Sequence, residues 1–153
     1  MAAADATTTL RVGALVLCTD FTHPVVIAKE AATIDVLSGG RFELGLGAGW
    51  MTTDYEQTGI PFDSAGTRID RMGEALTVID QLWSDAPCTF AGKHFTITDL
   101  DGRPKPLQRP RPPVLVGGGG KRVLSFAARN ADIVGLNVDL RRGVIDAGAG
   151  PNA

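Results

Sequence analysis

The chain has 153 residues, 44% hydrophobic and 21% charged, a balance typical of a folded domain. Its formal charge of −2 argues against nucleic acid as a partner, because backbone binding needs a strongly basic surface. The apolar runs are shorter than the roughly 20 residues that cross a bilayer, so no membrane partner is expected. The start, MAAADATTT, has no basic region and no sustained apolar run, so we do not expect it to be a secretory signal. Two cysteines, Cys18 and Cys88, favour a cytoplasmic location.

Short apolar runs and helical patterns alternate along the chain, separated by glycine and proline. In chain order we first predict a buried strand at 10–17, a helix from His23-Pro24 to Gly39-Gly40 and a strand at 42–46. A polar loop with Asp54, Tyr55 and Glu56 follows, then a helix at 65–83, a hairpin at 87–98 and an extended proline-rich connector at 104–113. The last predicted segments are a strand at 113–116, a glycine turn at 117–120, a helix at 121–130 and a strand at 132–136. This alternation implies right-handed βαβ units and a parallel sheet.

Two glycine clusters, at 45–49 and 117–120, follow predicted strands. Ligands bind at the carboxyl ends of strands in both TIM barrels and open α/β sheets, so these turns predict a ligand site. On the long helix, Arg71 and Glu74 are spaced to pair one turn apart on the solvent side.

The glycine clusters do not match the known nucleotide motifs. A dinucleotide fingerprint starting at Gly45 would need a glycine where Trp50 stands. A phosphate loop ending at 120–122 would need a glycine at Leu115 and a hydroxyl at Arg122. Successive N–H groups at a helix start still make an anion site, so phosphate binding and a plain close-packed turn stay equal alternatives.

The other reactive side chains form no catalytic pattern in the sequence. His23 precedes a proline at a helix start, which favours capping or packing over a general base. His94 is expected to face solvent, and Cys18 to be a buried or cavity-lining thiol. Tyr55 and Glu56 are assigned equally to ligand contact and to a solvated loop. Two isolated histidines and two isolated cysteines give no metal-ligand spacing, so no metal is expected.

Residues 23–50, HPVVIAKEAATIDVLSGGRFELGLGAGW, closely resemble the luciferase-like monooxygenase superfamily. The resemblance covers about residues 5–150 and includes Arg68, Arg71 and Glu74, Leu82-Trp83, PVLVGG at 113–118 and ADIVGLN at 131–137. It is greatest to the branch that uses coenzyme F420, although FMN-dependent relatives share most of these residues.

The resemblance implies an α/β fold, a partial (β/α)8 TIM barrel that carries approximately strands three to six. The whole chain, 1–153, would be one incomplete barrel domain. Its parts would be the end of a preceding helix at 1–9, the hairpin and proline-rich insertion at 85–112 and an irregular tail at 138–153. Such a partial barrel exposes sheet edges, so we expect a homo-oligomer or a partner that covers them.

The resemblance also implies a cofactor, coenzyme F420 or alternatively FMN, held across the strand carboxyl ends. A non-prolyl cis peptide, Leu15–Val16, would lie behind the ring, residues 47–49 would approach it, and residues 117–119 would donate N–H groups to the phosphate. The expected cofactor-binding residues are therefore Leu15, Val16, Gly47, Ala48, Gly49, Gly117, Gly118 and Gly119. Trp50 falls where some F420 enzymes place an acidic proton donor, so no catalytic residue is assigned.

The expected activity is hydride transfer between the deazaflavin and a small organic substrate, with the protein supplying orientation and electrostatics. Two alternatives stay open from the sequence. One is an FMN-dependent monooxygenase of the same superfamily. The other is a non-catalytic half barrel that needs a partner, because strands two, seven and eight have no counterpart in the chain.

Overall fold

A computed structural model describes residues 1–137 as helices and strands in α/β order. The elements are α1 (Ala2–Asp5), β1 (Val12–Gly13), β2 (Leu17–Cys18), α2 (Pro24–Leu37), β3 (Phe42–Gly47), α3 (Thr52–Thr58), α4 (Ala65–Trp83), β4 (Cys88–Ala91), β5 (Thr96–Leu100), β6 (Val114–Gly118), α5 (Lys121–Asn130) and β7 (Ile133–Leu136). β1 and β2 both pair with β3, which is followed by β6 and β7, all in parallel. β4 and β5 form the predicted hairpin as a separate antiparallel pair. The tail expected at 138–153 lies outside the described residues.

The strand predicted at 10–17 is two short strands rather than one buried run. Gly13 pairs with Glu43 and Leu17 with Leu46, so four steps along the first strand match three along β3. The extra residue makes a bulge, and it contains the non-prolyl cis peptide Leu15–Val16. Leu15 is 85% exposed, so the expectation of burial was wrong there.

The two long helices begin where the sequence predicts. The Nδ1 atom of His23 accepts a hydrogen bond from the N–H of Val25, which confirms its capping role at the start of α2. The hydroxyl of Ser64 caps α4 by accepting from the N–H of Thr67. Each cap satisfies a backbone donor that has no partner within its helix.

The loop predicted around Asp54 and Tyr55 is a short helix, α3, and Arg71 does not pair with Glu74. α3 ends at Gly59, which adopts the left-handed conformation with φ 72°. The Glu74 carboxylate instead accepts hydrogen bonds from three backbone N–H groups of the β4–β5 turn, those of residues 93–95. The spacing of Arg71 and Glu74 predicted the wrong pairing, because the groups that bind each of them lie outside α4.

The hydrophobic core lies between one face of the sheet and helices α2 and α4. Leu44 and Leu46 of β3 and Val114 and Val116 of β6 are fully buried there. Burying each such side chain contributes about 1.5–3 kcal/mol relative to exposure. The indole N–H of Trp83 reaches the carbonyl of Ala28 at 3.0 Å and joins the two helices.

Two residues of the 23–50 segment anchor distant parts of the chain. The buried carboxylate of Asp35 accepts hydrogen bonds from the N–H groups of Leu107 and Gln108 and from the Gln108 side-chain amide, at 2.7–3.0 Å. The guanidinium of Arg41 donates to the carbonyls of Ala4 and Leu10 at 2.6 and 2.7 Å. These contacts fix the proline-rich connector and the first ten residues against the α2–β3 unit.

Candidate functional site

A cavity of about 720 Å³, the main cavity, lies at the carboxyl ends of β2, β3 and β6. α3, the start of α4 and the start of α5 form its other walls. The lining includes all eight residues expected to contact a cofactor, namely Leu15, Val16, Gly47, Ala48, Gly49, Gly117, Gly118 and Gly119. The fold therefore brings these residues together from three separate segments, while their role in binding stays a prediction.

In one wall of the main cavity, the side chain of Val16 lies next to three glycines. A methyl group added at Gly47 would lie 2.6 Å from Val16 Cγ2, and one at Gly45 would lie 3.2 Å from Val16 Cγ1. A methyl group at Gly117 would still touch Val16, at 3.6 Å. The glycines thus leave the space into which the bulge directs the valine side chain.

Gly49, with φ 75°, brings the β3–α3 turn against two polar side chains. A methyl group there would overlap the hydroxyl of Tyr55 and lie 2.9 Å from Cys18 Sγ. Cys18 Sγ is 3.4 Å from the Tyr55 hydroxyl, so the two side chains are hydrogen-bonded. Tyr55 is 1% exposed, and both residues line the main cavity.

Tyr55 is hydrogen-bonded to a partly buried network of charged side chains. Its hydroxyl donates to Asp20 at 2.8 Å, and the other oxygen of Asp20 accepts from Arg71 at 2.7 Å. Arg71 also pairs with Asp63. Burial, followed by the hydrogen bonds to Cys18 and Asp20, raises the pKa of Tyr55 far above its ordinary value. Tyr55 therefore keeps its proton at neutral pH.

The same network keeps Arg71 charged. Burial on its own favours the neutral guanidine, but the hydrogen bonds to Asp63 and Asp20 outweigh it and raise the pKa of Arg71. The carboxylate of Asp20 has no exposed side-chain surface, so it depends on Arg71 and Tyr55 for its stabilisation. The network thus joins the loop after β2, helix α3, the loop before α4 and helix α4.

Arg68 fixes the turn that follows β3. Its guanidinium donates to the carbonyls of Ala48 at 3.1 Å and Gly49 at 3.4 Å, and also to that of Asp63. It lies over the ring of Phe62, 4.1 Å from the centroid, which is a favourable cation–π arrangement. Arg68 is only 7% exposed, so the turn is held by a residue that solvent scarcely reaches.

The opposite wall is the glycine segment before α5. No side chain caps this helix, whose N-cap is Gly120, and the first N–H groups of a helix attract anions. Lys121 and Arg122 also line the cavity, and Arg122 pairs with Asp70 at 2.6 Å. Gly118 lies so close to Val123 that any side chain would overlap it. This wall is positively polarised, and its backbone is open to a ligand.

Aromatic rings form the mouth of the main cavity. Tyr55 lies between Phe21 and Phe62, with ring centroids 5.0 and 4.7 Å apart. Phe21 and Phe62 are both exposed large apolar side chains. A second cavity of about 330 Å³ also has Phe21 in its lining, together with Asp20, Asp63 and Arg71 among others.

The two histidines behave differently from each other. The ring of His23 packs edge-on against Phe95, 5.3 Å between centroids, in keeping with its capping position. His94, expected to face solvent, is half-buried, and its Nε2 atom is buried without a hydrogen-bond partner among the described residues. Residues 1–137 contain no group of three or more histidine, cysteine or acidic side chains placed to hold a metal ion.

The sequence missed several cavity residues. Arg68 was noted only as part of a resemblance, and nothing local indicated that it would reach back 20 residues to Ala48. Asp20 and Arg71 are 51 residues apart, so their pairing depends on the tertiary fold. Tyr55 is buried in α3 and lines the main cavity, so the solvated-loop alternative is wrong for it and ligand contact stays a prediction. Glu56 is exposed and does not line the cavity.

The βαβ order, the parallel sheet and a cavity at the strand carboxyl ends belong to the α/β class, in which (β/α)8 barrel enzymes bind their ligands at this end of the strands. Residues 1–143 match the family model described as luciferase-like monooxygenase, and the chain belongs to that family. Among residues 1–137 no helix is long and apolar enough to cross a membrane.

Relatives of this family use more than one cofactor. The chain is 36% identical over 111 residues to pyrimidine monooxygenase RutA of Stutzerimonas stutzeri, covering 71% of this chain and 30% of that protein. It is 32% identical over 109 residues to the FMNH2-dependent dimethylsulfone monooxygenase of Pseudomonas putida, with the same coverage. The chain thus spans about a third of the length of the curated relatives it matches.

Among solved structures, the chain resembles an F420-dependent secondary alcohol dehydrogenase in complex with an F420–acetone adduct. The TM-score is 0.79 and the identity 29%, over 87% of this chain and 40% of that chain. Similar proteins are thus enzymes of the luciferase-like type with either FMN or F420 as cofactor.

Proposed function

We propose that this chain forms the cofactor-binding part of an F420-dependent oxidoreductase, with the deazaflavin held in the main cavity. The observation that carries the proposal is the convergence of Val16, the 47–49 turn and the 117–119 glycines on one cavity. An FMN-dependent monooxygenase is the second candidate, because the curated relatives include an FMNH2-dependent enzyme.

The wall at α5 supports binding of a phosphate group. The uncapped helix start presents backbone N–H donors, and Lys121 adds a positive charge beside them. Gly117, Gly118 and Gly119 carry no side chains of their own, so their backbone can approach a ligand in the cavity closely. In the proposed complex these residues hold the phosphate that both cofactors carry.

The wall formed by β2 and β3 supports binding of a planar ring. Val16 presents its side chain over glycines, and Leu15 together with residues 47–49 completes an apolar surface at the strand ends. Arg68 fixes the carbonyls of Ala48 and Gly49, so this surface keeps its shape when a ligand enters. When bound, F420 supplies a hydride acceptor or donor at its C5 atom, and the protein orients the substrate and excludes water.

The first test is a fluorescence titration of the purified chain with F420, FMN and riboflavin. We expect F420 to bind, and FMN to bind more tightly than riboflavin because only FMN carries a phosphate. Replacing Lys121 with Gln is expected to weaken FMN binding severalfold and to leave riboflavin binding unchanged. Arg129→Gln, at the other end of α5, is the matched control.

Failure of all three ligands to bind would contradict the proposal and favour the non-catalytic alternative. Reoxidation by air separates the two cofactor candidates. A reduced FMN complex reacts with oxygen, whereas a reduced deazaflavin complex does not. Turnover that persists in air with F420 and needs no oxygen would support the F420 assignment.

We further propose that the exposed sheet edges are covered by a second copy or by another chain. Leu17 lies exposed at one side of the described sheet, and Val134 and Leu136 lie exposed at the other, with Leu136 at 78%. Isolated apolar edge strands promote association. Light scattering during the titration is expected to give a mass above that of one chain. We also propose that the protein is located in the cytoplasm.

A further inference from the structure

Cys18, Tyr55 and Asp20 form a continuous hydrogen-bonded series from the main cavity into the protein. Cys18 ends β2 beside Gly47 of β3, and its sulfur lies in the cavity wall between Val16 and the 47–49 turn. We propose that the Cys18 thiol is the proton donor and acceptor of the main cavity, positioned by Tyr55. This inference rests on the proposed function, because a proton is needed only if hydride transfer occurs there.

Hydride transfer requires such a group. Addition of a hydride to a polar double bond of the substrate leaves an electron pair on the neighbouring atom, which must take up a proton. In the proposed step the S–H bond of Cys18 breaks, the new bond to that atom forms, and a thiolate remains. The reverse step, oxidation of an alcohol, returns the proton to sulfur. After the product leaves, solvent returns a proton to the thiolate in the reducing direction and takes the proton from the thiol in the oxidising direction.

Tyr55 can satisfy Cys18 in both protonation states. As a thiol, Cys18 donates to the phenolic oxygen, whose own proton goes to Asp20 at 2.8 Å. As a thiolate, Cys18 accepts from the phenol, which turns toward sulfur while Asp20 keeps its hydrogen bond from Arg71. The raised pKa of Tyr55 means that this phenol always has a proton to give.

The other ionisable groups of the cavity are less suited to the role. Arg68 is occupied by backbone carbonyls, and Lys121 and Arg122 lie on the opposite wall. Asp54 lines the cavity but is exposed, and its carboxylate makes no hydrogen bond within residues 1–137. Two charged groups, Asp20 and Arg71, are connected to Cys18 through Tyr55. The other charged groups that line the same cavity are Arg68 of α4, Asp54 of α3, and Lys121 and Arg122 of α5.

The test measures the rate at which iodoacetamide alkylates Cys18 in the purified chain without cofactor, followed by peptide mass spectrometry. Only the thiolate reacts, so the rate reports how well the thiolate is stabilised. Tyr55→Phe is expected to slow the reaction about fivefold, the effect of one hydrogen bond. Asp20→Asn is expected to accelerate it, because the phenol is freed to donate to sulfur and a neighbouring negative charge is lost.

Cys88 provides an internal control for folding, because it is buried and should stay unmodified in every variant that keeps its fold. Opposite changes in the two variants, with Cys88 unreactive, would support the proposal. Equal rates in all three proteins, or changes of the same sign, would overturn it.

A second arm separates this inference from the proposed function. Bound F420 or FMN is expected to slow alkylation of Cys18 at least fivefold, because the sulfur lies in the cavity that the cofactor fills. A cofactor that binds without protecting Cys18 would overturn the proton-transfer role while leaving cofactor binding intact. Absence of binding in the titration would overturn the proposed function itself, and with it the need for a proton at Cys18.

Discussion

The side chain of Val16 lies over Gly47, so that a methyl group at position 47 would come within 2.6 Å of Val16 Cγ2. The bulge in the first strand and the glycine in the neighbouring strand are therefore complementary. Neither can change in size without affecting the other.

Gly47→Ala is expected to lower the free energy of unfolding by about 1–3 kcal/mol, the usual effect of overpacking. Adding Val16→Ala should restore part of this loss, because the smaller side chain leaves room for the new methyl group. Urea denaturation measures both effects. Gly120→Ala is the control, since a methyl group there meets no atom within 4 Å. Additive losses in the double variant would contradict the packing described for this pair.

Asp35→Ala is expected to lower the free energy of unfolding by about 2–3 kcal/mol, because it removes the acceptor of three partly buried hydrogen-bond donors. Those donors are the N–H groups of Leu107 and Gln108 and the side-chain amide of Gln108. Glu30→Gln, an exposed change on the same helix, should have little effect in the same denaturation experiment. Equal stability of the two variants would show that the connector is not held by Asp35.

Glu74 predicts a specific loss of stability in acid. Partial burial favours the protonated form, but hydrogen bonds from the N–H groups of His94, Lys93 and Phe95 outweigh it and lower the pKa of Glu74 below its ordinary value of 4.5. A carboxylate with a lowered pKa stabilises the fold at higher pH, and that stability is lost as pH falls through its folded-state pKa.

Glu74→Gln is therefore expected to reduce stability at pH 7 and to flatten the fall in stability below about pH 4.5. Thermal unfolding from pH 3 to 7, compared with an Asp99→Asn control in the same hairpin, measures the difference. The same acid slope in Glu74→Gln and in the unchanged chain would argue against this role for Glu74.

Arg41→Lys is expected to release the first ten residues. A lysine cannot reproduce the hydrogen bonds that Arg41 makes to the carbonyls of Ala4 and Leu10 and to Thr7. Limited proteolysis should then remove this segment several times faster, while the rest of the chain stays resistant. Arg11→Lys, also near the N-terminus but exposed, is the control. Unchanged cleavage in Arg41→Lys would mean that other contacts hold the segment.

The features predicted best from the sequence are those fixed by short-range chemistry. The ends of α2 follow from His23-Pro24 and Gly39-Gly40, and the extent of α4 follows from the helical spacing of its apolar residues. The strands at 42–47, 114–118 and 133–136 follow from aliphatic runs between turn residues. The residues that line the cavity came from the resemblance together with the general position of ligand sites at strand ends.

The features missed are those that depend on the tertiary fold. α3 has a polar sequence, TTDYEQT, in which only Tyr55 is buried, so it carries no helical pattern of apolar residues. The pairing of Arg71 with Asp20 joins residues that only the barrel brings together. Glu74 was assigned to a neighbour on its own helix because nothing local indicates the hairpin turn that it binds.

Asp35 and Arg41 belong to the very stretch of sequence that makes the family recognisable, and both are occupied in tying chain segments together. Much of that stretch therefore holds the barrel together, and only its last residues, 47–50, line the main cavity. A match to this stretch therefore shows mainly that two proteins share the same fold. The choice between deazaflavin and flavin must be read instead from the cavity side chains, beginning with Cys18, Trp50 and Tyr55.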